Sequence, residues 1–197
     1  PAIGPDTLRL LSDTSVNSYK GFGPGRAKQY LALAGNGFVV GDTILFGLED
    51  DLVAFVGQEP SINWIQYQAR VGGYDVEFAR DNAGWGRLGA VPKRFYRYEV
   101  EGPAAWRIIE QAAGRRIDPI GFFRMGEIEI AGRRVRVLNH TMGGVPGEDA
   151  TGLELFGPEE EHEAFLEAIL AAGADHGLVR GGSLSYGSTT LESGWIG

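Results

Sequence analysis

The chain contains no cysteine and only three histidines. The absence of cysteine excludes a disulfide framework, a thiolate nucleophile and any zinc or iron–sulfur site that needs Cys ligands. The three histidines are scattered at positions 140, 162 and 176, a distribution that disfavours a multi-His metal centre. The sequence therefore predicts a protein without a metal site.

Long apolar runs and an excess of basic residues are also missing. No stretch approaches the roughly 20 apolar residues that span a bilayer, and the N-terminus lacks a basic segment followed by an apolar core. Lys and Arg total 18 against 26 Asp and Glu, a net charge of −8, which disfavours a phosphate-binding surface. We therefore predict a cytoplasmic protein that binds neither membranes nor nucleic acid.

The chain length and its ends bear on domain organisation. With 197 residues, 43% of them apolar, the chain is long enough for one compact domain with a sizeable core. It begins at Pro1 without an initiator methionine and stops at Gly197 without a polar tail. These ends lead us to expect a piece of a longer chain.

A weak internal repeat organises the sequence. Gly4-Pro5 and Gly102-Pro103 each precede apolar residues at helical spacing, and Gly157-Pro158 precedes an acidic turn and a third such helix ending near Gly173. The pattern indicates strand, turn and helix, with proline at the first helical position. Two related halves follow from this repeat.

Several segments have strand character. Residues 30–34 and 38–48 flank Gly35-Asn36-Gly37, and Asn-Gly is typical of a tight hairpin turn. Further strands are predicted at 52–56, 95–100, 127–130 and 135–138, with a helix over 62–72. Because strands and helices do not alternate strictly, we predict an α+β fold with antiparallel or mixed sheets and flanking helices.

Known catalytic motifs are largely missing, while three acidic residues stand out. The glycine-rich stretch 21–26 lacks the Lys-Ser/Thr ending of a phosphate-binding loop, and no Gly-x-Ser-x-Gly elbow occurs. Asp42, Glu154 and Glu192 each lie in apolar or glycine-rich sequence. Such a carboxylate is either a solvated strand residue or a buried group that binds a polar heterocycle or transfers a proton.

Three segments carry a family resemblance: residues 123–138, the stretch Gly152-Leu153-Glu154-Leu155-Phe156-Gly157-Pro158, and the closing Thr190-Leu191-Glu192-Ser193-Gly194-Trp195. Together they resemble the folate-binding domain of the aminomethyltransferase (glycine-cleavage T-protein) superfamily, and most of all its tetrahydrofolate-dependent aryl O-demethylases. The resemblance implies one internally duplicated folate-binding domain over residues 1–197. It also implies that an N-terminal segment and a C-terminal barrel domain lie outside this chain.

The resemblance also implies roles for individual residues. It puts Glu154 at the position whose carboxylate reads the pterin ring and Asp42 near the folate nitrogens that receive the one-carbon unit. Trp195 would line the folate site by stacking, and Tyr186 would face the substrate as a proton donor or acceptor. Trp195 as a core aromatic and Tyr186 as a structural hydrogen-bonding residue remain open alternatives.

Departures from the family pattern bear on the substrate. The stretch 139–147 is similar to the demethylase branch and unlike the corresponding stretch of aminomethyltransferases. Gln58 stands where demethylases tend to carry a basic residue that holds an aromatic acid's carboxylate. The substrate therefore lacks a carboxylate, or another group such as Arg97 supplies the charge.

The implied activity is transfer of a methyl group from an aryl ether, a small-molecule donor, to N5 of tetrahydrofolate. Two alternatives stay open. One is an aminomethyltransferase that works with a lipoyl carrier protein, for which Arg133, Arg134 and Arg136 would form a local docking patch. The other is a non-catalytic folate-binding module.

Overall fold

The computed structural model describes residues 1–57, 59–81, 93–140 and 152–182, together with positions 188 and 191. Two compact units result, unit 1 over Pro1–Arg80 and unit 2 over Asp81–Gly197. Both units combine antiparallel sheet with helices, as the predicted α+β class requires. Within the described residues, no helix is both long and apolar enough to cross a membrane.

The described residues of unit 1 form five strands and two helices. The strands form a sheet in the order β2-β3-β4-β1-β5, with every neighbouring pair antiparallel. Its buried core includes Leu10, Tyr30, Leu45 and Ile65. In chain order the elements are β1 (Ala2–Ile3), α1 (Thr7–Thr14), β2 (Ala27–Leu33), β3 (Val39–Gly47), β4 (Leu52–Gly57), α2 (Glu59–Gly72) and β5 (Glu77–Phe78).

The described residues of unit 2 form a four-stranded antiparallel sheet in the order β6-β9-β8-β7. Two helices pack on one face of it, where Ile109, Val137, Leu155 and Phe165 are buried. The elements are β6 (Phe95–Glu101), α3 (Ala105–Ala113), β7 (Met125–Ile130), β8 (Arg133–Leu138), β9 (Gly152–Pro158) and α4 (His162–Gly173). A short 3-10 turn over Glu159–Glu161 precedes α4.

The two units repeat one topology, which confirms the duplication predicted from the sequence. In the described residues each runs strand, helix, three strands and helix, and unit 1 adds β5 after its second helix. The sheet order β2-β3-β4-β1 of unit 1 corresponds strand for strand to β7-β8-β9-β6 of unit 2.

The predicted position of proline in the first two helices was wrong. Helices α1 and α3 begin at Thr7 and Ala105, two residues after Pro5 and Pro103. Gly4 and Gly102 have positive φ, and their carbonyls accept from the backbone N–H of Thr7 and Ala105 at 3.0 Å. A turn therefore separates strand from helix, and proline takes the second position of that turn, which its φ suits.

The predicted hairpins are present. Gly37 has φ +83° in the turn between β2 and β3, and its N–H donates to the Ala34 carbonyl at 2.9 Å. Between β7 and β8, Ala131 and Gly132 both have positive φ, the backbone of a two-residue turn that matches the twist of the strands. These turns set the strand register.

Alternation along the strands gives each sheet two different faces. In unit 2, Leu153 and Leu155 face the helices. The second face, opposite the helices, therefore carries Glu154 and Phe156 from β9 and their cross-strand partners Arg97, Glu99 and Leu138. In unit 1 the second face carries Asp42, Ile44, Phe46 and Ala54 by the same argument.

Candidate active site

Glu154 is the buried charged residue on which the candidate site centres. Its side chain is 1% exposed, in the middle of a strand whose two neighbouring leucines are fully buried. A carboxylate in such a position is costly unless it is paired and hydrogen-bonded.

Two side chains pair with this carboxylate. Arg97 lies on the neighbouring strand β6, and its Nη1 donates to Oε1 of Glu154 at 3.0 Å. His140, which follows β8, contacts Oε2 through Nε2. His140 is 4% exposed, whereas the side chain of Arg97 is 50% exposed.

These partners determine the ionisation of Glu154. Burial by itself raises the pKa of the carboxyl, but the hydrogen bond from His140 and the charge of Arg97 outweigh it and hold the pKa below its ordinary value. The second face of unit 2 therefore contains a desolvated carboxylate that stays ionised.

Glu99 is a neighbouring buried carboxyl whose pKa is shifted in the opposite direction from that of Glu154. It lies directly across from Glu154 in the β6–β9 register. Burial first, and then the charges of Glu101 and Glu154, raise the pKa of Glu99 to about 9, although Arg97 acts in the opposite direction. Two neighbouring carboxyls are thus driven to opposite protonation states by their surroundings.

The segment that carries His140 is held by several contacts. The backbone N–H of Asn139 donates to the Arg124 carbonyl at 3.1 Å, and its side-chain Nδ2 donates to the Ile120 carbonyl at 2.7 Å. The Phe123 ring lies parallel to the His140 imidazole, with 7° between the planes and 6.3 Å between the centroids. Phe123 has φ +55°, a conformation that few bulky residues adopt.

The carboxylate of Glu154 has the capacity to accept further N–H donors. A carboxylate offers about four lone-pair acceptor sites. Arg97 and His140 each use one, on different oxygens. The remaining capacity can accept two N–H groups, such as the ring N–H and the 2-amino group of a 2-aminopyrimidinone.

Asp42 lies on the second face of the unit 1 sheet, at the middle of β3. Its Oδ2 accepts from Gln29 Nε2 at 2.8 Å, and its Oδ1 is buried without a hydrogen-bond partner among the described residues. The adjacent Thr43 points to the helical side, where its hydroxyl is 2.5 Å from that of Ser61. Asp42 is half-buried, and its role toward the folate nitrogens stays a prediction.

The other predicted site residues divide into two groups. Arg97 lies on β6 and binds Glu154, an interaction that the sequence did not predict. Gln58, Tyr186, Glu192 and Trp195 lie outside the described residues. Their roles stay predictions.

Two residues of the site were missed by sequence reasoning, His140 and Glu99. Both are in phase with the second face of their strands: His140 comes two residues after Leu138, and Glu99 comes two after Arg97. The alternation along each strand could therefore have placed both residues on the second face. It could not have predicted their pairing with Glu154, because that pairing depends on which strands are neighbours.

The fold is that of an aminomethyltransferase. The chain superposes on the glycine cleavage system aminomethyltransferase T of Bartonella henselae with a TM-score of 0.69 and 18% identity, covering 99% of this chain and 48% of that one. Residues 2–197 match the family model described as the GCVT N-terminal domain. The chain belongs to this family, as the resemblance implied.

Relatives within the family have different named activities. The chain is 40% identical to a syringate O-demethylase of Sphingobium sp., over 98% of this chain and 40% of that protein. It is 26% identical to a sesamin methylene transferase of Sinomonas sp., over 98% of this chain and 38% of that protein. An aminomethyltransferase of Exiguobacterium sibiricum is 25% identical over 86% of the chain and 43% of that protein. The chain thus spans less than half the length of these relatives.

Proposed function

We propose that the protein containing this chain is a cytoplasmic enzyme that moves a methyl group from a methoxylated aromatic compound to N5 of tetrahydrofolate. The relatives named for O-demethylation of syringate and for methylene transfer from sesamin support an aromatic one-carbon donor. The net charge of −8 supports a small-molecule partner over nucleic acid.

The observation that carries the proposal is the buried, ionised carboxylate of Glu154. Its oxygens are oriented by His140 and Arg97 and keep capacity for two further N–H donors. The 2-amino-4-oxo edge of a pterin presents two such donors side by side. Glu154 is therefore the proposed pterin-binding residue.

The reaction breaks the methyl–oxygen bond of the ether and forms a bond to N5, which gives up its proton while the departing phenolate oxygen gains one. Alignment and one acid are what the protein must supply, because N5 itself is the nucleophile. We assign the acid role to Tyr186, the orientation of the folate nitrogen to Asp42, and stacking on the folate to Trp195.

Gln58 and Arg97 are the residues that we propose to contact the aromatic substrate. Half of the Arg97 side chain is exposed, although its Nη1 already donates to Glu154. A substrate carboxylate would share this guanidinium. With Gln58 in place of a base, we expect neutral or weakly anionic methoxyarenes to be preferred.

Titration of tetrahydrofolate into the full-length protein by calorimetry tests the central assignment. Glu154→Ala should weaken binding by about 100-fold or more, because two hydrogen bonds to a charged acceptor are lost. Glu129→Ala, an exposed glutamate of the same sheet, is the matched control and should bind as the unaltered protein does. Equal affinity of the Glu154 and Glu129 variants would refute the pterin assignment.

Two further variants address catalysis. Tyr186→Phe should bind tetrahydrofolate normally and lose most methyl transfer; full transfer would remove Tyr186 from the acid role. If the unaltered protein binds tetrahydrofolate but shows no assayed transfer, and Asp42→Asn and Tyr186→Phe bind it equally well, the alternative of a non-catalytic folate-binding module is favoured.

An aminomethyltransferase is the second candidate, supported by relatives such as that of Exiguobacterium sibiricum. It would require a carrier protein, for which Arg133, Arg134 and Arg136 offer a basic strand. Assaying the full-length protein with a methoxyarene and, separately, with an aminomethylated lipoyl carrier distinguishes the two.

A further inference from the structure

His140 takes no part in the proposed bond making and breaking, but of the two described partners of the Glu154 carboxylate it is the more buried. We propose that His140 is a positioning residue: its Nε2–H holds Oε2 of Glu154, keeping the carboxylate ionised and oriented toward the pterin. This inference rests on the proposed function, and it concerns how the pterin-binding group is prepared before any ligand arrives.

Arg97 and His140 differ in burial, and therefore in how strongly each interacts with the Glu154 carboxylate. The Arg97 side chain is half exposed, so solvent screens its charge. The His140 side chain is 4% exposed and its hydrogen bond is fully desolvated. An unmade hydrogen bond at such a site is not replaced by bulk water, so the loss of His140 should affect Glu154 more than its formal charge suggests.

The tautomer follows from the hydrogen-bond network. His140 Nδ1 is buried and has no partner among the described residues, whereas Nε2 faces the Glu154 carboxylate. Because an ionised carboxylate only accepts hydrogen bonds, the proton of this contact is on Nε2. His140 therefore donates to Glu154.

The imidazole is also fixed in place. Asn139 anchors the preceding residue through backbone and side-chain hydrogen bonds, and the Phe123 ring lies parallel to the imidazole. Phe123 keeps a left-handed backbone, φ +55°, in doing so. A strained residue beside a buried polar group is a common feature of preorganised sites.

Among the described residues, the charged and titratable groups that face Glu154 come from the two neighbouring strands. Arg97, Glu99 and Glu101 approach from β6, and His140 from the end of β8. Arg136, which shares the second face on β8, pairs with Glu127 at 3.6 Å. Without His140, Arg97 is the one cation among the described residues that lowers the pKa of Glu154 against burial, so that pKa should rise, as the pKa of Glu99 does.

The test is a pH titration of the Glu154 carboxyl by carbon NMR in the full-length protein without folate, with glutamate labelled at Cδ. Glu154→Gln assigns the resonance. His140→Leu should shift the titration upward by at least about one pH unit, whereas His140→Gln, whose amide can still donate, should stay near the unaltered protein. His162→Leu is the matched control, because that imidazole binds the Tyr98 hydroxyl at 2.5 Å and not Glu154.

An unshifted Glu154 titration in folded His140→Leu would overturn the inference. If that variant fails to fold, His140→Asn replaces it, since the shorter amide stays polar but does not reach Glu154. An unshifted titration in His140→Asn would overturn the inference equally.

Tetrahydrofolate affinity against pH separates this inference from the proposed function. A protonated Glu154 cannot accept both N–H groups, so the tetrahydrofolate affinity of His140→Leu should begin to fall at a higher pH than that of the unaltered protein, by about tenfold per pH unit below the shifted Glu154 titration. A shifted titration without any folate binding would refute the proposed function alone. Normal folate binding with an unshifted titration would refute only the role of His140.

Discussion

Units 1 and 2 share a backbone but differ in the side chains of their second faces. One equivalent backbone hydrogen bond aligns the two units. In unit 1 the Gly25 N–H donates to the Gly47 carbonyl at 2.9 Å, and in unit 2 the Phe123 N–H donates to the Asn139 carbonyl at 2.8 Å. The residue before each acceptor pairs with the neighbouring strand: Phe46 with Ala54, and Leu138 with Glu154. Ala54 is therefore the unit 1 counterpart of Glu154.

The same correspondence extends to a cross-strand pair. Gln29 and Asp42 of unit 1 match Glu127 and Arg134 of unit 2 by register. The first pair is a half-buried hydrogen bond of 2.8 Å, and the second is an exposed ion pair of 3.7 Å. Duplication thus preserved the positions at which two side chains meet, while their chemistry diverged. A shared scaffold does not imply a shared site.

The largest effect on stability is expected at Glu99, which faces Glu154 in unit 2, where unit 1 has Ala54 in place of Glu154. Because burial raises the pKa of Glu99 above its unfolded value, the folded protein binds one more proton between about pH 4.5 and 9. The unfolding free energy therefore falls as pH rises through this window, by at most about 1.4 kcal/mol per pH unit. Glu99→Gln should remove that slope and stabilise the protein by about 1–3 kcal/mol at pH 8.

Urea unfolding at pH 5 to 8 measures this slope. Glu129 is an exposed glutamate on the same sheet, so Glu129→Gln is the control and should show the same dependence of the unfolding free energy on pH as the unaltered protein. An unchanged slope in Glu99→Gln would mean that Glu99 and Glu154 do not differ in protonation.

The paired turns provide a second comparison. Gly25 has φ +73° and open space around it, so Gly25→Ala should cost about 1–2 kcal/mol through the left-handed backbone alone. Phe123→Gly should change stability less, because relief of the same strain is offset by lost ring contacts and a more flexible unfolded chain.

Denaturant unfolding of both variants checks this expectation. Gly35→Ala is the control, with open space and no left-handed backbone, and should stay within about 0.5 kcal/mol. A Gly25→Ala cost no larger than that of the control would argue against strain at this turn, and so against strain at Phe123.

The smallest effects are expected at the diverged cross-strand pair. Asp42→Ala leaves the Gln29 amide without its partner and should cost about 1 kcal/mol. Arg134→Ala removes an ion pair whose arginine side chain is 79% exposed, and should change stability by less than about 0.5 kcal/mol. Equal costs, measured by thermal unfolding, would show that the two pairs contribute alike despite their different exposure.

Sequence alone determined the local features. Asn36-Gly37 and Ala131-Gly132 predicted the hairpins because few residue pairs tolerate positive φ, and the Gly-Pro repeat predicted two related halves. Glu154 stood out because Leu153, Leu155 and Phe156 surround it in sequence. Proline in the first helical position was the exception, since the turn at Gly4 and Gly102 takes up two more residues before the helix.

Only the tertiary structure decided the partners of Glu154. Strand periodicity reports which face a side chain occupies, but not which strand lies beside it. The order β6-β9-β8-β7 brings Arg97 and Glu99 to one side of Glu154 and His140 to the other, from positions 57, 55 and 14 residues away in the chain. The ionisation of Glu154 depends on those neighbours, because a buried carboxylate takes its pKa from the groups that surround it.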